Sequence, residues 1–236
     1  MYKKKIFVIA VMTALALSAC GKAKTDAPGS DVVAEDAAEE SAVEEEASVT
    51  ENTKITKDNF RDFPVSDESI FSIRTVKDGV EIEGCERDTK EKVVVVPDTL
   101  AGKKVTSIGF GAFTELENVE AIVLPDSVTR IGESAFTNCE KLKFVHFGKG
   151  LKTTGNMVFN SCPALKEIEL PEGMTTMTGV FVFGCSSLEV ITVPATVEDV
   201  GIGVVSSKEF NGVIRTPAGS AAEKYAIEHG IKVENY

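Results

Sequence analysis

An apolar pattern recurs every 23 residues through the middle of this chain, and that period constrains the fold more than any single motif does. Ile122, Val145, Ile168 and Ile191 form one column, and Leu124, Phe147, Leu170 and Val193 form a second. Equal steps mean that each block offers its neighbour the same face, so the blocks stack into a solenoid with one continuous core.

Four segments fit the pattern L-x-x-L-x-L: Val119, Ile122, Leu124; Leu142, Val145, Phe147; Leu165, Ile168, Leu170; and Leu188, Ile191, Val193. Alternation of the last two apolar positions is strand periodicity, so each block supplies a short strand and the strands together form a parallel sheet. A turn residue follows each strand (Pro125, Gly148, Pro171, Pro194). Further on, Ile131-Gly132, Thr154-Gly155 and, one residue late, Thr178-Gly179 lead into Ala135-Phe136, Val158-Phe159 and Val182-Phe183. The glycines are expected to let the backbone reverse at positive φ. The ends of such a stack need caps. Lys77-Asp78-Gly79 between two apolar runs predicts a hairpin at the N-terminal end. A strand at Val213–Arg215, a helix from Ala221 to His229 with Ser220 and Glu223 as capping box, and a last strand at Ile231–Glu234 predict the closing unit.

The run Val105 to Phe113, repeated as Val128 to Phe136 and completed by Asn138-Cys139 and Leu142, resembles the BspA-type leucine-rich repeats of bacterial surface proteins. The resemblance covers roughly residues 70 to 236. It implies a leucine-rich-repeat solenoid with a parallel sheet on one side and short turns or helical segments on the other. It also implies an extracellular adhesin or ligand-binding surface.

At the N-terminus, Lys3, Lys4 and Lys5 precede an apolar run from Ile6 to Leu17, too short to span a bilayer and of the kind found in export signals. Leu17-Ser18-Ala19-Cys20 resembles the lipobox of bacterial lipoproteins. That resemblance implies that Cys20 becomes the N-terminal residue and carries a thioether-linked diacylglyceryl group, whose two chains hold a membrane where one would not. From Gly21 to Thr53 there are ten acids, two lysines and no aromatic residue, too little apolar surface to offset the entropy of folding. The expected organisation is therefore a signal peptide (1–19), a lipidated cysteine and disordered acidic linker (20–53), an N-terminal segment with the cap hairpin (54–104), repeats (105–205) and a C-terminal cap (206–236). A net charge of −12 argues against binding nucleic-acid phosphates.

Cys139, Cys162 and Cys185 also step by 23 and share one column, where a small apolar residue packs between turns; they read as buried thiols. Neighbouring turns are expected to be too far apart there for a disulfide. His146 and His229 are the only histidines and lie far apart, so no metal site is expected, nor any cofactor besides the lipid on Cys20. No nucleophile elbow or phosphate-binding loop is present, and the chain is not expected to be an enzyme.

The residues alternating with the core columns are Ala121, Val123, Phe144, His146, Glu167, Glu169, Val190 and Thr192. They should form one outward patch, with Val123, Phe144 and Val190 as its apolar part, and Val123, Phe144, His146, Glu167, Glu169, Val190 and Thr192 are the candidate binding face. The leading expectation is an outward-facing, lipid-anchored protein of the bacterial cell envelope whose repeats bind an extracellular protein or glycan. Its rivals are the solute-binding lipoprotein of an importer, which would form two α/β lobes, and a lipid-anchored envelope enzyme. Replacing the lipidation residue gives the first test: Cys20→Ala should abolish incorporation of labelled palmitate and release the protein from the membrane fraction.

Overall fold

A computed structural model describes residues 54–201, 203–205 and 210–236. The expected signal peptide, Cys20 and the expected acidic linker (20–53) lie outside the described residues. In chain order the strands are β1 (Phe71–Val76), β2 (Gly79–Cys85), β3 (Val93–Val95), β4 (Thr99–Leu100), β5 (Lys103–Ile108) and β6 (Ala121–Val123). They continue with β7 (Arg130–Ile131), β8 (Phe136–Thr137), β9 (Phe144–His146), β10 (Thr153–Thr154), β11 (Phe159–Asn160) and β12 (Glu167–Glu169). The last are β13 (Thr176–Met177), β14 (Val182–Phe183), β15 (Val190–Thr192), β16 (Asp199–Val200), β17 (Val213–Thr216) and β18 (Lys232–Asn235), with helix α1 (Ala221–Glu228) between the final two.

These strands form a parallel β solenoid of the leucine-rich-repeat type. The front carries β3-β6-β9 and β12-β15-β17-β18; a second side runs β2-β5-β7-β10-β13-β16; a third is β8-β11-β14. The returning sides are therefore short parallel strands and not helices. A rung of two residues is enough, because each backbone group bonds the turn above and the turn below. The 23-residue step is kept from rung to rung: Ile131 pairs with Thr154, Thr154 with Met177 and Met177 with Val200. On the front, Ile168 pairs with Ile191 and Ile191 with Ile214.

Aromatic rings line the interior of the third side. Phe113 stacks on Phe136 at 5.5 Å between centroids, Phe136 on Phe159 at 5.1 Å, and Phe181 closes the row edge-on to Phe159 at 5.6 Å. All four rings are fully buried. Phe183, expected in this column, is 43% exposed; Val182 takes the rung opposite Phe159, and Phe181 turns inward instead. The extra residue read at Thr178-Gly179 is not an insertion. The backbone keeps its 23-residue step at Met177 and Val182 and takes a different path between them.

Of the three expected reversal glycines, Gly179 has positive φ as expected and the other two act differently. Gly132 and Gly155 do not have positive φ. They are needed for close approach, since a Cβ on Gly132 would lie 2.6 Å from the Gly109 carbonyl carbon and one on Gly155 would lie 2.5 Å from the Glu133 nitrogen. Reversal falls to two other columns in the left-handed region, Gly111, Ser134 and Met157, and Glu115, Asn138, Ser161 and Gly184. Five of these seven are not glycine, and each such residue carries a steric cost of about 1 to 2 kcal/mol that the stacked turns must outweigh.

β1 and β2 form an antiparallel hairpin over the first turn. On β2 Glu81, almost fully buried, accepts from Arg74 of β1 and from Arg130, each at 2.5 Å, and from the Ser107 hydroxyl at 3.0 Å. Burial raises the pKa of Glu81, but the bonds from Arg74 and Ser107 and the charge of Arg130 outweigh it and hold the carboxyl below its usual range. At the other end the Ser220 hydroxyl accepts from the Glu223 N–H at 3.1 Å, and Glu223 accepts from Gly219 N–H, capping α1 from both directions. Tyr225 on this helix donates to the Val205 carbonyl, tying the closing unit to the stack.

If the phenylalanine row carries the core, Phe136→Ala should lower unfolding free energy by about 3 to 5 kcal/mol. Phe110→Ala, on a ring 74% exposed, should change it by less than about 0.5 kcal/mol in the same denaturation measurement.

Candidate functional site

The expected outward patch divides into two parts. Ala121 is fully buried and Val123 and Phe144 are partly so, because the segment 54–66 crosses the face of β3, β6 and β9. Ile55 and Phe60 pack with Val93, Val95 and Ala121 in a small separate core, and Phe60 stacks on Phe144 at 5.4 Å with rings 16° from parallel. Part of the apolar portion of the predicted binding face is thus covered by the chain itself: Val123 and Phe144 are half-buried under the strap, and Phe144 also lines the cleft beside it. Their exposure on the bare sheet is what makes the strap fold back, since burying such side chains yields roughly 1.5 to 3 kcal/mol each. Ser66 fastens the end of the strap by donating to Glu91 and accepting from the Val95 N–H at 2.9 Å.

The polar half is open. His146, Glu167, Glu169 and Thr192 line a cleft of about 320 Å³ together with Lys57, Phe60 and Arg61 from the strap, Lys149 and Glu172 from the following turns, and Tyr236. Val190, the remaining predicted residue, is half-buried on β15 and does not line it. Lys57 reaches over the cleft to Glu167 at 2.6 Å, so the strap touches both halves of the front sheet.

A missing rung makes this cleft. β6 pairs with β9 and β12 with β15, yet β9 and β12 share no ladder. At the other front junctions Leu124 N–H donates to the His146 carbonyl at 2.9 Å, Leu170 N–H to Thr192 at 3.0 Å and Val193 N–H to Arg215 at 2.8 Å. The equivalent bond from Phe147 N–H to the Glu169 carbonyl is absent. Phe147 stands in a column otherwise filled by Leu124, Leu170 and Val193, with its ring edge-on to Phe159 at 6.2 Å, and the sheet parts beside this larger side chain.

Charges in the cleft are mixed. His146 is half-buried, and burial followed by the nearby Arg61 charge lowers its pKa, so it is neutral at pH 7. Tyr236 has a raised pKa, first from burial and then from Glu172 and Glu169. Among the described residues no group of three His, Cys, Asp or Glu side chains could hold a metal ion. No helix among them is long and apolar enough to cross a membrane.

The cysteine column is buried, and Cys85, Cys139, Cys162 and Cys185 are free thiols. Cys139 donates to the Phe113 carbonyl at 2.9 Å and Cys162 to Phe136 at 3.2 Å, each one turn back. Separation is not what keeps them unbridged: the Asn138 N–H bonds the Asn160 carbonyl at 2.8 Å, which puts adjacent turns at ordinary strand spacing. The thiols are engaged with the carbonyls instead. Contact with the Cys139 and Cys185 thiols and then burial push the Cys162 pKa up, and burial pushes Cys85 up to about 12. Neither forms a nucleophilic thiolate near neutral pH.

Sequence patterning pointed to the polar residues of the cleft and missed the strap. Ile55, Phe60 and Phe63 are a readable apolar signal in a polar segment, but they lie outside the 23-residue period. Nothing in the pattern places Tyr236.

The geometry defines a leucine-rich-repeat protein with a cleft on its front sheet. Residues 100–216 match the family model described as BspA type Leucine rich repeat region, in six copies. The crystal structure of a T. pallidum leucine-rich-repeat protein is similar with a TM-score of 0.59 and 26% identity, over 64% of this chain and 71% of that one. A leucine rich cell surface protein from Faecalibacterium prausnitzii A2-165 is similar with a TM-score of 0.54 and 28% identity, over 63% of this chain and 38% of that one. No curated protein matches the chain.

If the strap is held by its aromatic anchor, Phe60→Ala should lower its local opening free energy by about 2 to 4 kcal/mol. Amide hydrogen exchange should then speed up in residues 54–66 and in β6 and β9, while rates in β13 to β15 stay unchanged.

Proposed function

We propose that this protein is a membrane-anchored surface lipoprotein whose repeat domain is a non-catalytic protein- or glycan-binding module. The observation that carries the reading is the cleft at the break in the front sheet: a concave, mixed polar and apolar site on a scaffold that is otherwise regular. Sites of this form, with apolar walls and a few placed polar groups, recognise ligands. The solved relative from Faecalibacterium prausnitzii is named a cell surface protein, which supports the outward placement. The lipobox-like Leu17 to Cys20 supports the anchor.

The importer reading asks for two α/β lobes closing on a solute, and the described repeats form a single stack. An envelope enzyme asks for a nucleophile or acid–base pair in mutual hydrogen-bond reach. The cleft instead has its one imidazole, that of half-buried His146, without a hydrogen-bonded partner among the described residues, and its Glu167 carboxylate is held by Lys57.

A photo-crosslinking residue placed at Glu169 on the cleft wall of the full chain, displayed on cells, should label an extracellular protein or glycan. The same residue at Lys224, exposed on the closing helix, should not. Equal labelling from both positions, or from neither, would sink the reading.

A further inference from the structure

We propose that the cleft binds the end of a neutral saccharide; this rests on the binding-module reading and names its ligand class. Size gives the first argument. At about 320 Å³ the cleft lies at the lower end of small-molecule sites, roughly 300 to 1,000 Å³, so it suits a small ring system and not a helix or strand of a protein partner.

Charge gives the second. Lys57 and Glu167 neutralise each other, and the remaining side chains balance, Arg61 and Lys149 against Glu169 and Glu172. A ligand of either net charge gains from one pair what it loses to the other, so a neutral polar ligand is favoured.

Hydrogen bonding gives the third. The absent rung between β9 and β12 leaves the Phe147 N–H and the Glu169 carbonyl without the partners their equivalents have. Donors and acceptors therefore alternate at close spacing along the parted edges. A carboxylate or phosphate only accepts and an ammonium only donates, whereas each sugar hydroxyl does both and can satisfy either neighbour. The apolar C–H face of a sugar ring has its match in the aromatic and aliphatic part of the wall, where Tyr236 is 62% exposed and Leu170 and Phe147 form the base.

The test is titration calorimetry of the full-length protein with neutral hexoses, N-acetylhexosamines and their disaccharides, beside sulfated sugars, amino sugars and a zwitterionic dipeptide. Neutral sugars should bind, with affinity changing less than about twofold between low and high salt. Glu169→Gln and His146→Ala should each weaken binding by about tenfold, while Phe110→Ala, remote and exposed, should leave it unchanged. Circular dichroism and thermal melting establish that each variant is folded. Binding of the charged sugars or the dipeptide in preference to neutral sugars overturns the inference, as does neutral-sugar binding that the cleft variants do not weaken. If no sugar binds while the crosslinker at Glu169 still labels a protein, the inference falls and the binding-module reading stands. If the crosslinker labels nothing as well, both fall.

Discussion

In-register pairing between turns 23 residues apart is the interaction on which the rest of this structure depends. An isolated turn could not bury its phenylalanine, could not satisfy the backbone of two-residue strands, and would bear the cost of two left-handed residues. Stacked, it does all three. The ring of Phe136 lies between those of Phe113 and Phe159, and Ser134 and Asn138, both left-handed, donate their N–H groups to Asn156 and Asn160 of the next turn. Strain and its compensation therefore sit in the same few residues. The terminal turns, which lack a neighbour, are finished by elements of another kind: an antiparallel hairpin at one end and α1 with β18 at the other.

Where the period meets a residue of different size, the stack adjusts without losing step. Phe181 enters the core one position before the column, Val182 takes the rung, and Phe183 is left outside; the left-handed position shifts with it, to Gly179. At Phe147 the adjustment is of another kind, and the front ladder opens while the two returning sides stay continuous through β10 and β11. Three-sided pairing makes this tolerable, because one side can lose a rung while the others hold the two turns together.

The repeat columns were legible in the sequence because their chemistry is periodic and the core reads that period directly. Residues whose roles depend on what lies across from them were less so. Gly132 and Gly155 look like reversal glycines, but their requirement is space against the preceding turn, which only the stacked geometry reveals. Alternation along a strand correctly separates Phe144 and His146 from Val145, yet it says only which side of the sheet a residue faces. It cannot say whether that side meets water or another part of the chain. The strap decides this, and it contributes Ile55 and Phe60 from outside the repeat by contacts that no local spacing encodes.

The strap also links the two asymmetries of the molecule. It covers the half of the front sheet that is apolar, β3 to β9, and ends its reach at the break, where Lys57 meets Glu167 on the first strand of the other half. An exposed ion pair of this kind contributes little to stability, about 0 to 1 kcal/mol. Its value is positional, since it lies where the strap's Phe60 and Arg61 join Glu169 and Tyr236 in lining the cleft. The apolar face is what keeps the strap in place, and the strap is what turns a parted sheet into a walled site. A binding surface on this scaffold is therefore made less by the repeat than by the places where the chain departs from it.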